Sequence, residues 1–161
     1  MSSIKKILIL LLLMQPYLIN ACSFFHLPIN QLSKSETNIF IGFSHTVNIK
    51  FYHENTKNNS KIDSFPDSDI IVTNKIKNNY CSIEGGIWIR NSVYISENNS
   101  ALMIQQFSGS NDSLTFYDTR NCNKIFDIDI SNSTWKFENS NISVINNNNK
   151  YIYPIKKFCN I

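Results

Sequence analysis

The chain has 161 residues, with 15 lysines and arginines against 12 aspartates and glutamates and a formal net charge of +3. Hydrophobic residues make up 42% of it, enough to bury a core, and the charge is too even and too scattered for the basic footprint of a nucleic-acid-binding protein. The cysteines are widely spaced and, of His26, His45 and His53, only His26 falls within ten residues of one, so the paired Cys/His spacing of a zinc site is missing. There is no Gly-x-Ser-x-Gly elbow and no glycine-rich phosphate loop, so neither metal nor cofactor is expected.

Lys5 and Lys6 precede an apolar run, residues 7–14, that Gln15 and Pro16 end. A helix crossing a bilayer needs about 20 apolar residues, and this run is both too short and apolar all round. It predicts a secretory signal peptide over residues 1–21. At its end, Ile19-Asn20-Ala21-Cys22 resembles the lipobox of bacterial lipoproteins: a branched apolar residue three before the cut, a small one before it and a cysteine after. The resemblance implies a lipidated Cys22 anchored in the cell envelope. With Ser23 next in the chain, it implies the outer membrane, facing the periplasm. The other reading is a soluble secreted protein in which Cys22 is an ordinary residue. Removing Lys5 and Lys6 takes the charge from +3 to +1, leaving one domain.

Residues 22–38, with Pro28 and a polar run to Asn38, read as a tether, and 39–161 as a single β-rich domain. Val47, Ile49 and Phe51 alternate with polar residues at period two, as in a half-buried strand. After a polar loop over 54–68, residues 70–72 form a short apolar strand. Further strands are read at 86–90, 92–96, 101–107, 113–118, 124–130, 134–138, 141–145 and 151–158, separated by turns rich in Asn, Asp, Ser and Gly. Short strands at such spacing predict an all-β antiparallel meander, closed as a small barrel or packed as a sandwich. Alternation assigns Leu102, Ile104, Leu114, Phe116, Phe126, Ile128, Ile130, Trp135, Phe137, Ile142 and Val144 to the core. It leaves Gln105, Thr115, Asp127, Asp129, Lys136 and Ser143 on a wet face. Residues 92–130 resemble one blade of a β-propeller, carried by Leu114, Asp118 and Thr119. A single copy implies a four-stranded meander and no function. Five Asn-x-Ser/Thr sequons are what chance supplies in a chain this rich in Asn.

An exported chain meets an oxidising compartment, so its cysteines pair. Three thiols remain if Cys22 carries lipid; otherwise four thiols allow two bridges. Counting strand directions along the meander puts Cys81, Cys122 and Cys159 at one end. It predicts Cys81–Cys159, with Cys122 as the alternative partner.

Candidate chemistry is thin. Asp127 and Asp129 share one strand face about 7 Å apart, and Asp63, Asp67 and Asp69 share a loop without the glycine and distal glutamate of a calcium site. Both groups read as solvated charges. Phe24, Phe25, Trp88, Tyr94, Tyr117, Tyr151 and Tyr153 include several on the face alternation leaves outside. They form either a binding surface or the underside of a second layer. The reading favoured is a non-enzymatic envelope lipoprotein that binds a protein partner, such as an inhibitor or immunity protein acting through a rigid loop or aromatic patch at the disulfide end. A structural or assembly lipoprotein of the outer membrane comes next, and a secreted hydrolase last.

Overall fold

A computed structural model of the chain describes residues 22–32, 38–53, 62–138 and 140–159. The expected signal peptide lies outside the described residues. Fourteen strands run in chain order: β1 Phe24–His26, β2 Asn30–Gln31, β3 Ile39–Phe43, β4 Val47–Tyr52, β5 Ser64–Pro66, β6 Ile70–Asn74, β7 Asn79–Ile83, β8 Ile87–Ser96, β9 Ala101–Ser108, β10 Asn111–Asp118, β11 Lys124–Asp129, β12 Thr134–Glu138, β13 Asn141–Asn146 and β14 Asn149–Pro154. A short 3-10 turn, Ile155–Lys157, follows β14.

The strands form three antiparallel sheets. The central sheet has the order β1-β8-β9-β10-β11, with β5 also on β8; the N-terminal sheet is β2-β3-β4-β6-β7; the C-terminal sheet is β12-β13-β14. All-β architecture with antiparallel pairing is as expected, and among the described residues it is layered rather than closed as a barrel. The meander read over 92–130 is the β8-β9-β10-β11 run, with 86–90 and 92–96 joined as the single strand β8. Its pairing with β9 is irregular between Trp88 and Val93, where Asn91 lies exposed.

Alternation along the central sheet divides its side chains between two cores. Val93, Ile95, Leu102, Ile104 and Tyr117 pack with Phe40, Ile49, Phe51, Ile70 and Val72 of the N-terminal sheet. Met103, Leu114, Phe116 and Ile128 pack with Ile142 and Val144 of the C-terminal sheet. Successive strand residues point to opposite faces, so the N- and C-terminal sheets cover opposite sides of the central one. The expectation of one wet face is therefore corrected. Met103 and Thr115 are completely buried, and the residues Ala101 to Ile104 are buried without a break. Each large apolar side chain buried in this way stabilises by about 1.5–3 kcal/mol.

The stretch read as a tether is partly built into the domain. β1 pairs with β8, β2 pairs with β3, and Leu27 and Ile29 between them are buried. These two side chains cross directly over Gly42, where an added Cβ would lie 2.6 Å from Ile29 Cδ1 and 2.8 Å from Leu27 Cδ2. Only the missing side chain permits that crossing.

Cys22 bonds to Cys159 and Cys81 to Cys122, with Cα separations of 5.9 and 5.7 Å. The expected Cys81–Cys159 pairing is not formed. Cys81 lies on β7 of the N-terminal sheet, whereas Cys159 packs in the core on the other side of the central sheet. A count of strand directions assumes one curled sheet and cannot see that intervening layer. Cys122, the alternative partner, takes Cys81. A sulfur bonded to Cys159 has no valence for a thioether, so this bridge and a lipidated Cys22 exclude one another.

Candidate partner-binding surfaces

Two convex turns project from the ends of β10. The β9–β10 hairpin ends in exposed Ser108, Gly109, Ser110 and Asn111. Gly109 adopts φ +65°, and nothing lies within 4 Å of where its Cβ would be. This is a narrow, small and polar tip that a cleft can admit. At the other end, residues 119–123 form a braced loop. Cys122 N–H donates to Asp118 O at 2.8 Å, Asp118 N–H to Asn123 O at 2.9 Å and Thr119 N–H to Ser100 O at 3.0 Å. Thr119 Oγ1 donates to Asn99 O at 2.6 Å. Arg120 closes on the buried Asp118 carboxylate at 2.5 Å. Its hydrogen bonds hold the Asp118 carboxyl below the usual range, against the opposing effect of burial. The bridge from Cys122 to Cys81 ties this loop to β7. A loop so preorganised loses little freedom on binding, and it matches the rigid loop expected at a disulfide end.

The outer face of the N-terminal sheet carries Ile41, Phe43, Asn48, Lys50, Ile71, Thr73 and Tyr80, opposite the buried set. Phe43 is 59% exposed and Tyr80 77%. Lys50 Nζ sits 5.0 Å from the centre of the Tyr52 ring.

The other expected site residues are scattered. Trp88 and Tyr117 are buried in the core shared with the N-terminal sheet, and Trp88 Nε1 donates to Ser68 O at 2.5 Å. Phe24, Tyr94 and Tyr153 pack into the core under the C-terminal sheet, so this sheet is the second layer weighed from the sequence. Phe25 and Tyr151 remain exposed. Asp127 accepts from Thr115 Oγ1 at 2.5 Å. Asp129 is held below the usual carboxylate range by hydrogen bonds from Ser131. Asp63, Asp67 and Asp69 are exposed. A cavity of about 420 Å³ between β11 and β14 is lined by Ile125, Phe126, Ile152, Tyr153, Pro154, Lys157 and Phe158. Its walls are apolar apart from Lys157 and the Tyr153 phenol. A smaller one of about 220 Å³ has Asp129, Ser131 and Ser133 at its rim.

These surfaces sit in a stretch that matches a known protein family. The family model described as "Immune protein Tsi1" matches residues 22–150. The chain belongs to the Tsi1 immune protein family. A curated relative, the "Immune protein Tsi1" of Pseudomonas aeruginosa strain PAO1, is 33% identical over 99 residues. The match covers 61% of this chain and 57% of that relative.

The Tsi1 match takes in both convex turns, the outer face of the N-terminal sheet and three of the cysteines, whereas Cys159 lies beyond it. Family membership agrees with the reading of an immunity-type binding module. Sequence reasoning missed the outer face because Ile39-Phe40-Ile41-Gly42-Phe43 is apolar throughout and shows no alternation. The unbroken apolar run was itself the signal that both faces of β3 are apolar.

Proposed function

We propose that this protein is an immunity protein that neutralises a toxin protein by binding it in the bacterial cell envelope. The observation that carries this reading is the match of residues 22–150 to the Tsi1 immune protein family. The contacts are assigned to the convex turns at 108–111 and 119–123, one small enough to enter a cleft and the other rigid. Binding, not catalysis, is the activity proposed. Two disulfides suit an oxidising compartment, as does the predicted signal peptide. With Cys22 joined to Cys159, the protein is proposed to act as an exported, unlipidated chain in the periplasm.

Deleting the gene in the producing strain and growing the mutant against its parent tests the function. The mutant is expected to be killed on contact, and rescued by the full chain but not by one lacking residues 1–21. Ser110→Trp and Arg120→Glu alter exposed side chains and are expected to weaken rescue. A mutant that survives contact unharmed overturns the reading.

A further inference from the structure

The central sheet ends at β11 in an edge that its hydrogen bonding defines. β9 and β10 turn through Gly109 and Ser110, with Ser108 facing Asn111. Hydrogen-bonded pairs alternate along an antiparallel ladder, so Asn111, Ser113 and Thr115 bond to β9, and Asp112, Leu114 and Phe116 turn to β11. Ile130 N–H donates to Asp112 O at 2.9 Å, as this requires. Ile128 and Phe126, opposite Leu114 and Phe116, therefore direct their backbone groups to β10. Asp127 and Asp129 direct theirs to the outer edge. Ile125 is a bulge, because Tyr117 pairs with Lys124 and Phe116 with Phe126. No described strand pairs with the outer side of β11. The cavities of about 420 and 220 Å³ run along this edge, one reaching Phe126 and the other Asp129, and Tyr153 lines both. Phe126 is 42% exposed there. On the other face of the strand, Asp127 and Asp129 are exposed.

We propose that this edge takes up an extended segment of the toxin in which apolar and basic residues alternate. Outward N–H and C=O groups recognise extended backbone, and the side chains on either face then select the sequence. Residues of the added strand opposite Phe126 and Ile128 turn toward the groove beside Tyr153. Those opposite Asp127 and Asp129 turn toward the two carboxylates, where a basic side chain is attracted. Lys124 lies before the bulge and Lys157 on the far wall of the larger cavity. Both repel a basic residue placed beyond Phe126, which confines the added strand to residues 126–130. The same charges disfavour a second copy. Past the bulge, β11 turns only aspartates to the edge, so two copies paired there set Asp against Asp, and like charges directly opposite destabilise. The edge of β14, on the other wall, ends in Pro154, which has no N–H to offer. β11 also leaves the braced 119–123 loop directly, so one partner can touch both. Identifying the segment with the toxin rests on the function proposed above.

Amide hydrogen exchange of the disulfide-bonded protein, read residue by residue by NMR, tests the edge. In the free protein the Asp127 and Asp129 amides are expected to exchange fast and those of Phe126 and Ile128 slowly. The probe is the blocked peptide acetyl-Val-Lys-Val-Lys-Val-amide, and its control carries Glu in place of Lys. With a dissociation constant of ~1 mM, ~5 mM of the Lys peptide slows Asp127 and Asp129 about sixfold, and the Glu peptide leaves them unchanged. Asp127→Asn with Asp129→Asn keeps an oxygen for Thr115 Oγ1 and for Ser131 N–H and is expected to bind the Lys peptide about fivefold more weakly. No slowing, equal slowing by the two peptides, or slowing that follows protein concentration without peptide would each overturn the proposal, the last by making a second copy the occupant. In contact killing the double variant is expected to rescue less well than the parent. Full rescue by a variant that has lost peptide binding would overturn the assignment of this edge to the toxin and leave the immunity reading standing. A deletion mutant that survives contact would overturn that reading, and with it the toxin as occupant, while leaving the exchange result intact.

Discussion

Replacing Cys159 with Ser removes the bridge to Cys22 and is expected to loosen one layer of the domain before the others. The bridge spans 137 residues in sequence, for which the chain-entropy relation gives about 5 kcal/mol of stability. The Cys81–Cys122 bridge spans 41, for which the same relation gives about 4 kcal/mol. The larger loss also falls unevenly. β12, β13 and β14 pair only with one another, so the C-terminal sheet meets the rest of the domain through side chains and this bridge. Regions held without a shared backbone ladder open first. The chain has two tryptophans, one for each core. Trp88 is buried in the core shared with the N-terminal sheet, and Trp135 packs in the core under the C-terminal sheet. Urea titration of Cys159→Ser in Trp88→Phe and Trp135→Phe backgrounds tracks the cores separately. The Trp135 signal is expected to move to lower urea, ahead of Trp88, whereas the parent unfolds with the two coincident. A Cys159→Ser protein whose transitions neither move nor separate would refute the bridge and return Cys22 to the pool available for lipid.

Two further predictions test the packing and its titration. Gly42→Val drives its side chain into Leu27 and Ile29 and is expected to cost about 1–3 kcal/mol by urea titration; an unchanged midpoint would mean that the segment between β1 and β2 does not cross there. The Tyr117 phenol is pushed up to about 12, first by burial and then by nearby Asp127. Its neutral form is therefore favoured by folding, and the associated stability, about 2 kcal/mol, is complete below pH 10 and lost as pH rises from 10 toward 12. Tyr117→Phe should flatten that alkaline loss, as measured by thermal melts across the pH range.

The strands from β10 to β13 are legible in the sequence because apolar and polar residues alternate along them, and β9 and β14 as short apolar runs bounded by recognisable turns. β1, β2 and β5 are two or three residues long, too short to show a period, and so read as tether and loop. The layering is legible only in part. Ala101-Leu102-Met103-Ile104 is apolar without alternation, the mark of a strand buried on both faces, yet taking Leu102 and Ile104 alone conceals it. The cysteine pairing depends on that missing layer. The abundance of Asn also gains a structural role. Among the described residues, five of the seven non-glycine residues with positive φ are Asn: Asn78, Asn99, Asn132, Asn147 and Asn148. With four glycines in the whole chain, Asn takes the left-handed turn positions, which its short side chain tolerates. Asn147-Asn148 thus makes the two-residue hairpin loop between β13 and β14, where Asn-Gly is the commoner choice. Of the candidate surfaces, the braced loop is legible as a kind of feature, a rigid loop at a disulfide end, while its location needs the Cys81–Cys122 pairing.

The two bridges lie between layers, where no backbone ladder reaches. Cys81–Cys122 ties the edge of the N-terminal sheet to the loop leaving β10, and Cys22–Cys159 ties the approach to β1 to the segment after the C-terminal sheet. Before oxidation, the three sheets are held together by side-chain packing, by side-chain hydrogen bonds such as Trp88 Nε1 to Ser68 O and by the chain that runs from one sheet to the next. The 119–123 loop then keeps its hydrogen bonds to Asp118 and Ser100 but loses its tie to β7. Oxidation constrains that loop and fixes the outer layers on the central sheet in one step. In a protein whose proposed work is done by shape, the redox change that accompanies export would complete the binding surface in the compartment where it is used.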